Sequence, residues 1–239
     1  MDYMKKGKKR ILTTLALIIS IIHLIPFYIL ITTALKARGD FSSKWIFPSK
    51  LNFQNFSEAW VEADLGTSLM NTTIITFVAA ILLIILGSMA AYPLARRQTK
   101  LNKVVFIIFI AIMVVPPLTA LVPLYQLVVD IGMMNTRTVA ALNNVATFMP
   151  LTIFLYAGFI RSTIPKELEE AARIDGASTV GIFFRVVFPL LKPITATVLI
   201  IASVFIWNDY QFAIFFLQAN EVQTMTVALS GFFGQNSNH

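Results

Sequence analysis

Asp209 is the only acidic residue in the apolar stretch 193–217. A carboxylate at membrane depth is costly enough to count as a functional candidate by default. Asn208 and Tyr210 flank it, and Asn143 and Asn144 stand at a comparable depth in another apolar stretch. These five residues form a candidate translocation pathway. Interhelical hydrogen bonds, worth about 1 kcal/mol or less in membranes, are the competing role for the asparagines, and an outer-end position near water makes a structural role open to Asp209. Other chemistries are excluded by residue type. The chain has no Cys, and its only histidines are His23, inside an apolar run, and His239. Thiolate sites, histidine metal clusters and His-dependent triads are therefore ruled out. No GxxxxGK[ST] phosphate cradle is present, and no nucleophile and base stand together as an embedded hydrolase requires.

The elements that would position these groups follow from composition. Of 239 residues, 57% are hydrophobic and 13% charged, about half the charged share of a soluble domain. A helix crosses roughly 30 Å of hydrocarbon with about 20 mostly apolar residues. Five stretches qualify, at 11–35, 69–94, 104–129, 138–160 and 193–217. The fold class expected is all-α, a polytopic membrane helix bundle of five spans forming a single domain over residues 1–239.

Basic residues near short loops resist translocation, so their placement sets orientation. Lys5, Lys6, Lys8, Lys9 and Arg10 precede the first span, and Arg96, Arg97, Lys100 and Lys103 follow the second. Arg161, Lys166, Arg173 and Arg185 follow the fourth. All three groups fall on one side, which places the N-terminus in the cytoplasm. Across the membrane, Lys36, Arg38, Lys44 and Lys50 are matched by Asp40, Glu58, Glu62 and Asp64. The first apolar run is too long for a cleaved signal and reads as a retained span. The net charge of +7 is clustered between apolar runs with no basic face or arm, which points to a lipid bilayer and no nucleic acid.

Pro26, Pro116, Pro117, Pro123 and Pro150 each remove a backbone donor inside a span, and the third span is expected to break. Gly87, Ser88, Ala90 and Ala91 would let another helix approach closely.

The segment 161–188 reads as two short helices around a turn. Pro165 suits a first helical position, Glu167, Glu169 and Glu170 favour the positive helix start, and Arg173 favours its end. Gly176 supplies a left-handed stop and Ser178 a cap. Leu168, Ala171 and Ala172 share a low face, suited to entering a groove or to packing on the chain's own bundle.

Glu170, Ala171, Ala172, then Gly176, then Val186, Val187, Phe188 and Pro189 resemble the EAA loop of ABC importer permeases. Val186 and Phe188 stand where that pattern usually has Ile and Leu. The likeness is to the carbohydrate-uptake branch, near the smaller membrane subunit of maltose-type transporters. It extends through Phe47, Pro48, Phe56, Asn71, Val115, Pro116 and Trp207 to Asp209.

The resemblance implies a permease without catalysis of its own, in which 161–188 is a coupling loop docking on a cytoplasmic ABC ATPase dimer. Glu170, Ala171, Ala172, Asp175 and Gly176 carry over as the docking segment. It further implies a second permease subunit, an extracytoplasmic sugar-binding protein, and ATP with magnesium in the ATPase, with no cofactor on this chain. An ion-coupled carrier using Asp209 is the alternative. Relatives usually have six spans, so the expectation is truncation before a sixth, with 225–233 a short re-entrant or interfacial piece.

Overall fold

The computed structural model describes residues 6–37 and 39–236. Lys5, Arg38, Ser237, Asn238 and His239 lie outside the described residues. Every regular element among the described residues is a helix. Contacts gather in two compact units, Met1–Ala63 and Asp64–His239.

The first unit holds α1 (Lys6–Ala34) and α2 (Gln54–Glu62). Helix α1 runs unbroken through Pro26 and is apolar over most of its length. His23 Nδ1 lies 2.7 Å from the Ile19 carbonyl, one turn back on the same helix. The loop beyond α1 is organised by a buried cation. Lys36 Nζ donates to the carbonyls of Ser42 and Ser43, both at 2.9 Å, and to Ser42 Oγ at 2.5 Å. Carbonyl and hydroxyl oxygens thus use all three ammonium donors. Asn55 Nδ2 closes the loop on the Ala34 and Lys36 carbonyls, at 2.8 and 2.7 Å.

The second unit opens with α3 (Leu65–Leu82), which passes through a π-turn at Leu83–Gly87 into α4 (Ser88–Arg96). Together they make one apolar helix of 32 residues. A Cβ on Gly87 would overlap the Thr152 methyl group, so the backbone of this helix presses directly on α7 (Arg137–Thr163). Ala91 is fully buried beside it.

Helix α5 (Lys100–Ile112) and α6 (Leu121–Asp130) are bent by 96°. Pro116 is extended at φ −62°, ψ 129°, and a 3₁₀ turn Pro117–Ala120 follows. The expected break of the third span is therefore present. Pro150, in contrast, lies within uninterrupted α7.

After α7 come α8 (Lys166–Ile174), α9 (Thr179–Ile182), a π-turn at Phe183–Val187 and α10 (Phe188–Leu190). Helix α11 (Lys192–Trp207) then turns away by 73°. The fifth span was expected to run to Leu217, but it ends ten residues earlier. Asn208 Nδ2 donates back to the Val204 carbonyl at 2.7 Å, and Asp209 Oδ1 accepts from Phe212 N–H at 3.1 Å. Both side chains take over backbone partners and favour a turn over a continuing helix. The chain proceeds through α12 (Ala213–Phe216) and α13 (Met225–Asn236). Among the described residues, three helices are long and apolar enough to cross a membrane, and up to five spans result if each bent pair counts as one.

Two buried clusters lie along α7. One contains Tyr92, Ile153, Tyr156, Ile160, Ile182, Val187 and Leu191, at the end that carries the basic loops. The other, toward the opposite end, contains Ile75, Leu83, Val139, Ile206, Phe212 and Phe216.

Candidate functional site

The two-helix reading of 161–188 holds, with one shift. Pro165 is not the first helical residue but sits just before it, extended at φ −61°, ψ 139°, so that its ring ends the α7 segment and starts α8. Gly176 occurs at φ +83°. Ala177 N–H bonds the Ala172 carbonyl and Gly176 N–H bonds the Arg173 carbonyl, both at 3.0 Å. This is a Schellman stop, in which only glycine avoids a Cβ penalty. Ser178 Oγ then accepts from Gly181 N–H at 3.2 Å and caps α9.

Glu169 fixes α8 to the bundle. It stands in the first turn of α8 with Glu167, at the positive helix start that the sequence predicts. Its carboxylate is also buried, and Oε1 accepts from Arg96 Nε at 2.6 Å, with side-chain exposures of 8% and 10%. Oε2 accepts from Tyr92 hydroxyl at 2.7 Å. Arg96 Nη1 and Nη2 donate to the Ile160 and Ile164 carbonyls at 3.0 and 2.7 Å. These carbonyls close the negative end of α7, where a cation is favoured. One guanidinium thus joins the ends of α4 and α7 to α8. The signal in the sequence was Tyr92 and Arg96 four residues apart on one helix face, but nothing local named Glu169 as their partner.

The proposed docking residues divide between two faces of α8. Glu170, Ala171, Asp175 and Gly176 are exposed. Ala172 is half-buried and packs with Ala177 on the cluster around Tyr92 and Ile160. The outward apolar ridge consists of Leu168, Ala171 and Ile174, at successive intervals of three residues, with Ile174 86% exposed. Spacing alone groups Ala172 with this face, but packing turns it inward and leaves Ile174 there.

The polar residues toward the other end are brought only partly together. Asn144 is buried and donates to the Ala140 carbonyl at 2.9 Å. Thr226 Oγ1 donates to the Asp209 carbonyl at 3.1 Å, and Ser230 Oγ to the Tyr210 hydroxyl at 3.2 Å. Asn208 is exposed and Asn143 half-buried. Asp209 therefore serves as a local organiser of the turn between α11 and α12.

Two asparagines do similar work. Asn71, fully buried in α3, donates to the Glu221 and Gln223 carbonyls at 3.0 and 2.9 Å. Asn135, left-handed at φ +56°, accepts from Gln218 and Ala219 N–H at 2.7 and 2.9 Å.

A helical bundle with a short cytoplasmic two-helix loop latched to its span ends is the architecture of a transport permease. Residues 83–236 match the family described as binding-protein-dependent transport system inner membrane component, and the chain belongs to that family. It is an integral, multi-pass membrane subunit of a transport system and not an enzyme. The melibiose/raffinose/stachyose import permease protein MelC of Bacillus subtilis (strain 168) is 67% identical over 230 residues, covering 96% of this chain and 83% of that protein. The multiple sugar-binding transport system permease protein MsmG of Streptococcus mutans serotype c is 28% identical over 200 residues, covering 82% and 72%. A solved bacterial ABC transporter involved in the import of the acidic polysaccharide alginate contains a chain of the same fold. Its TM-score is 0.80 at 22% identity, over 99% of this chain and 84% of that one. An ion-coupled carrier built on Asp209 finds no support in these relationships.

Proposed function

We propose that this chain is one of two pore-lining subunits of an ATP-driven importer for short oligosaccharides of the melibiose, raffinose and stachyose kind. The identity of 67% across 96% of the chain with a permease named for those sugars carries the reading. Its partners are a cytoplasmic ABC ATPase dimer, which holds ATP and magnesium, a second permease subunit and an extracytoplasmic sugar-binding protein. Helix α8 enters a cleft on one ATPase subunit through Leu168, Ala171 and Ile174. Glu170, Asp175 and Gly176 border the contact, and Ala172 backs the helix against the bundle. Motion of the ATPase is passed to α4 and α7 through Glu169 and Arg96, and the spans alternate their opening. Asn143, Asn208 and Tyr210 remain the candidate pathway groups, while Asp209 positions the turn that carries Asn208 and Tyr210.

The cysteine-free background allows a direct test. Ala171→Cys, in the assembled transporter, is expected to cross-link to a cysteine in the ATPase cleft in a nucleotide-sensitive manner, whereas exposed Ser57→Cys does not. Absence of the Ala171→Cys cross-link sinks the docking assignment. Raffinose uptake by cells depending on this chain tests the cargo.

A further inference from the structure

Beside the Glu169 latch, on the cytoplasmic end of the second unit, lies a cleft of about 510 Å³ that the coupling mechanism does not use. Its rim carries Arg96, Arg97, Lys103, Arg161 and Lys166, and its wall includes Leu94, Phe106 and Ile107. The charge is largely uncompensated. Arg96 is neutralised by Glu169, and Arg161 donates to the Leu94 carbonyl at 2.8 Å while lying 4.6 Å over the Phe106 ring. Arg97, Lys103 and Lys166 are exposed and have no carboxylate partner among the described residues.

The apolar wall decides what such a basic cleft accepts. It continues onto the flank of α5, which buries none of its residues and exposes Leu101, Val104, Ile107 and Ile108, Ile107 to 62%. An occupant would meet cations at the membrane surface and, directly below them, a hydrocarbon-facing helix. A soluble anion uses only the first feature. Basic pockets between spans on the cytoplasmic side suit anionic lipid headgroups, whose leaflet is the negatively charged one.

We propose that this cleft binds the phosphate headgroup of an anionic phospholipid of the cytoplasmic leaflet, with Arg97, Lys103 and Lys166 on the phosphate and an acyl chain along Phe106 and Ile107. The site rests on the membrane placement of the chain and is independent of which sugar is carried. Since α8 begins at Lys166 and is latched by Glu169, a bound headgroup would touch the start of the coupling helix.

Native mass spectrometry of the assembled transporter, titrated with phosphatidylglycerol or phosphatidylcholine, tests the site. Phosphatidylglycerol is expected to bind more tightly. Each neutralised cation should weaken it about fivefold, and Arg97→Gln/Lys103→Gln/Lys166→Gln on the order of 100-fold. The control Lys8→Gln/Lys9→Gln/Arg10→Gln should leave this binding in place, and Ile107→Gln should weaken lipid binding several-fold with all cations retained. Equal binding of the two lipids, or unchanged phosphatidylglycerol binding in the triple variant of the cleft, would overturn the proposal. So would displacement of the lipid by millimolar inorganic phosphate together with indifference to Ile107→Gln, which marks a soluble-anion site.

Discussion

Arg96 Nε and Glu169 Oε1 are 2.6 Å apart across 73 residues of sequence, and every nitrogen of that guanidinium is hydrogen-bonded. The pair ties α8 to the ends of α4 and α7. Buried pairs add little net stability over an apolar replacement, but removing one partner strands a charge and costs about 3–5 kcal/mol.

Glu169→Ala should therefore lower the thermal midpoint of the detergent-purified protein by roughly 6–20 °C, at about 2–4 °C per kcal/mol for a chain of this size. Arg96→Met/Glu169→Leu should be less destabilised than the sum of its single variants. Transport should fall in both the Ala variant and the double variant, because this tie is lost even where stability returns. Additive single effects in the thermal cycle would falsify the coupling.

Gly87 is expected to tolerate no side chain, because its Cβ would meet the Thr152 methyl. Overpacking of this kind costs about 1–3 kcal/mol. Gly87→Ala should lower the thermal midpoint, and Gly87→Ala/Thr152→Ser, which removes the obstructing methyl, should recover much of the loss. Failure of the second change to rescue points to the π-turn itself as the sensitive feature.

Gly176→Ala forces a Cβ into a left-handed residue at φ +83°, with a cost of about 1 kcal/mol. Asn is milder at such a position. Nothing within 4 Å blocks a Cβ there, so the effect should come from the backbone alone. The order Gly, then Asn, then Ala is expected in both stability and sugar uptake. An Ala variant equal to Gly removes the Schellman stop as a reason for the glycine.

Asn71→Ala withdraws the amide that holds the Glu221 and Gln223 carbonyls. Both bonds are part-buried, so the cost is expected near the low end of the about 1–3 kcal/mol of an unsatisfied buried acceptor. Hydrogen exchange should accelerate at Met225, whose N–H donates to the adjacent Thr72 Oγ1 at 2.9 Å. Unchanged exchange across 220–228 would show that Thr72 holds the loop by itself.

Much of the architecture was legible because hydrocarbon imposes a length and a composition on every crossing element. The apolar runs, the proline break in the third span and the Gly176 stop were read from local sequence alone. The fifth span was not, because hydropathy averages over Asn208 and Asp209 and cannot see which backbone group each side chain will take. The exposed ridge of α8 was half legible. Spacing grouped Leu168, Ala171 and Ala172, but only packing against Tyr92 and Ile160 turned Ala172 inward and left Ile174 facing out.

Readable from the chain alone is therefore what depends on neighbours within a helical turn or two, together with the membrane-crossing lengths, the asymmetry of the cations and the turn chemistry of the 161–188 loop. The tertiary structure alone decided the pairings over long separations, from Glu169 with Arg96 to Asn71 with the loop at Glu221 and Gln223. A buried polar group must find a partner, but which one is fixed by how the helices pack, and no local spacing records that choice.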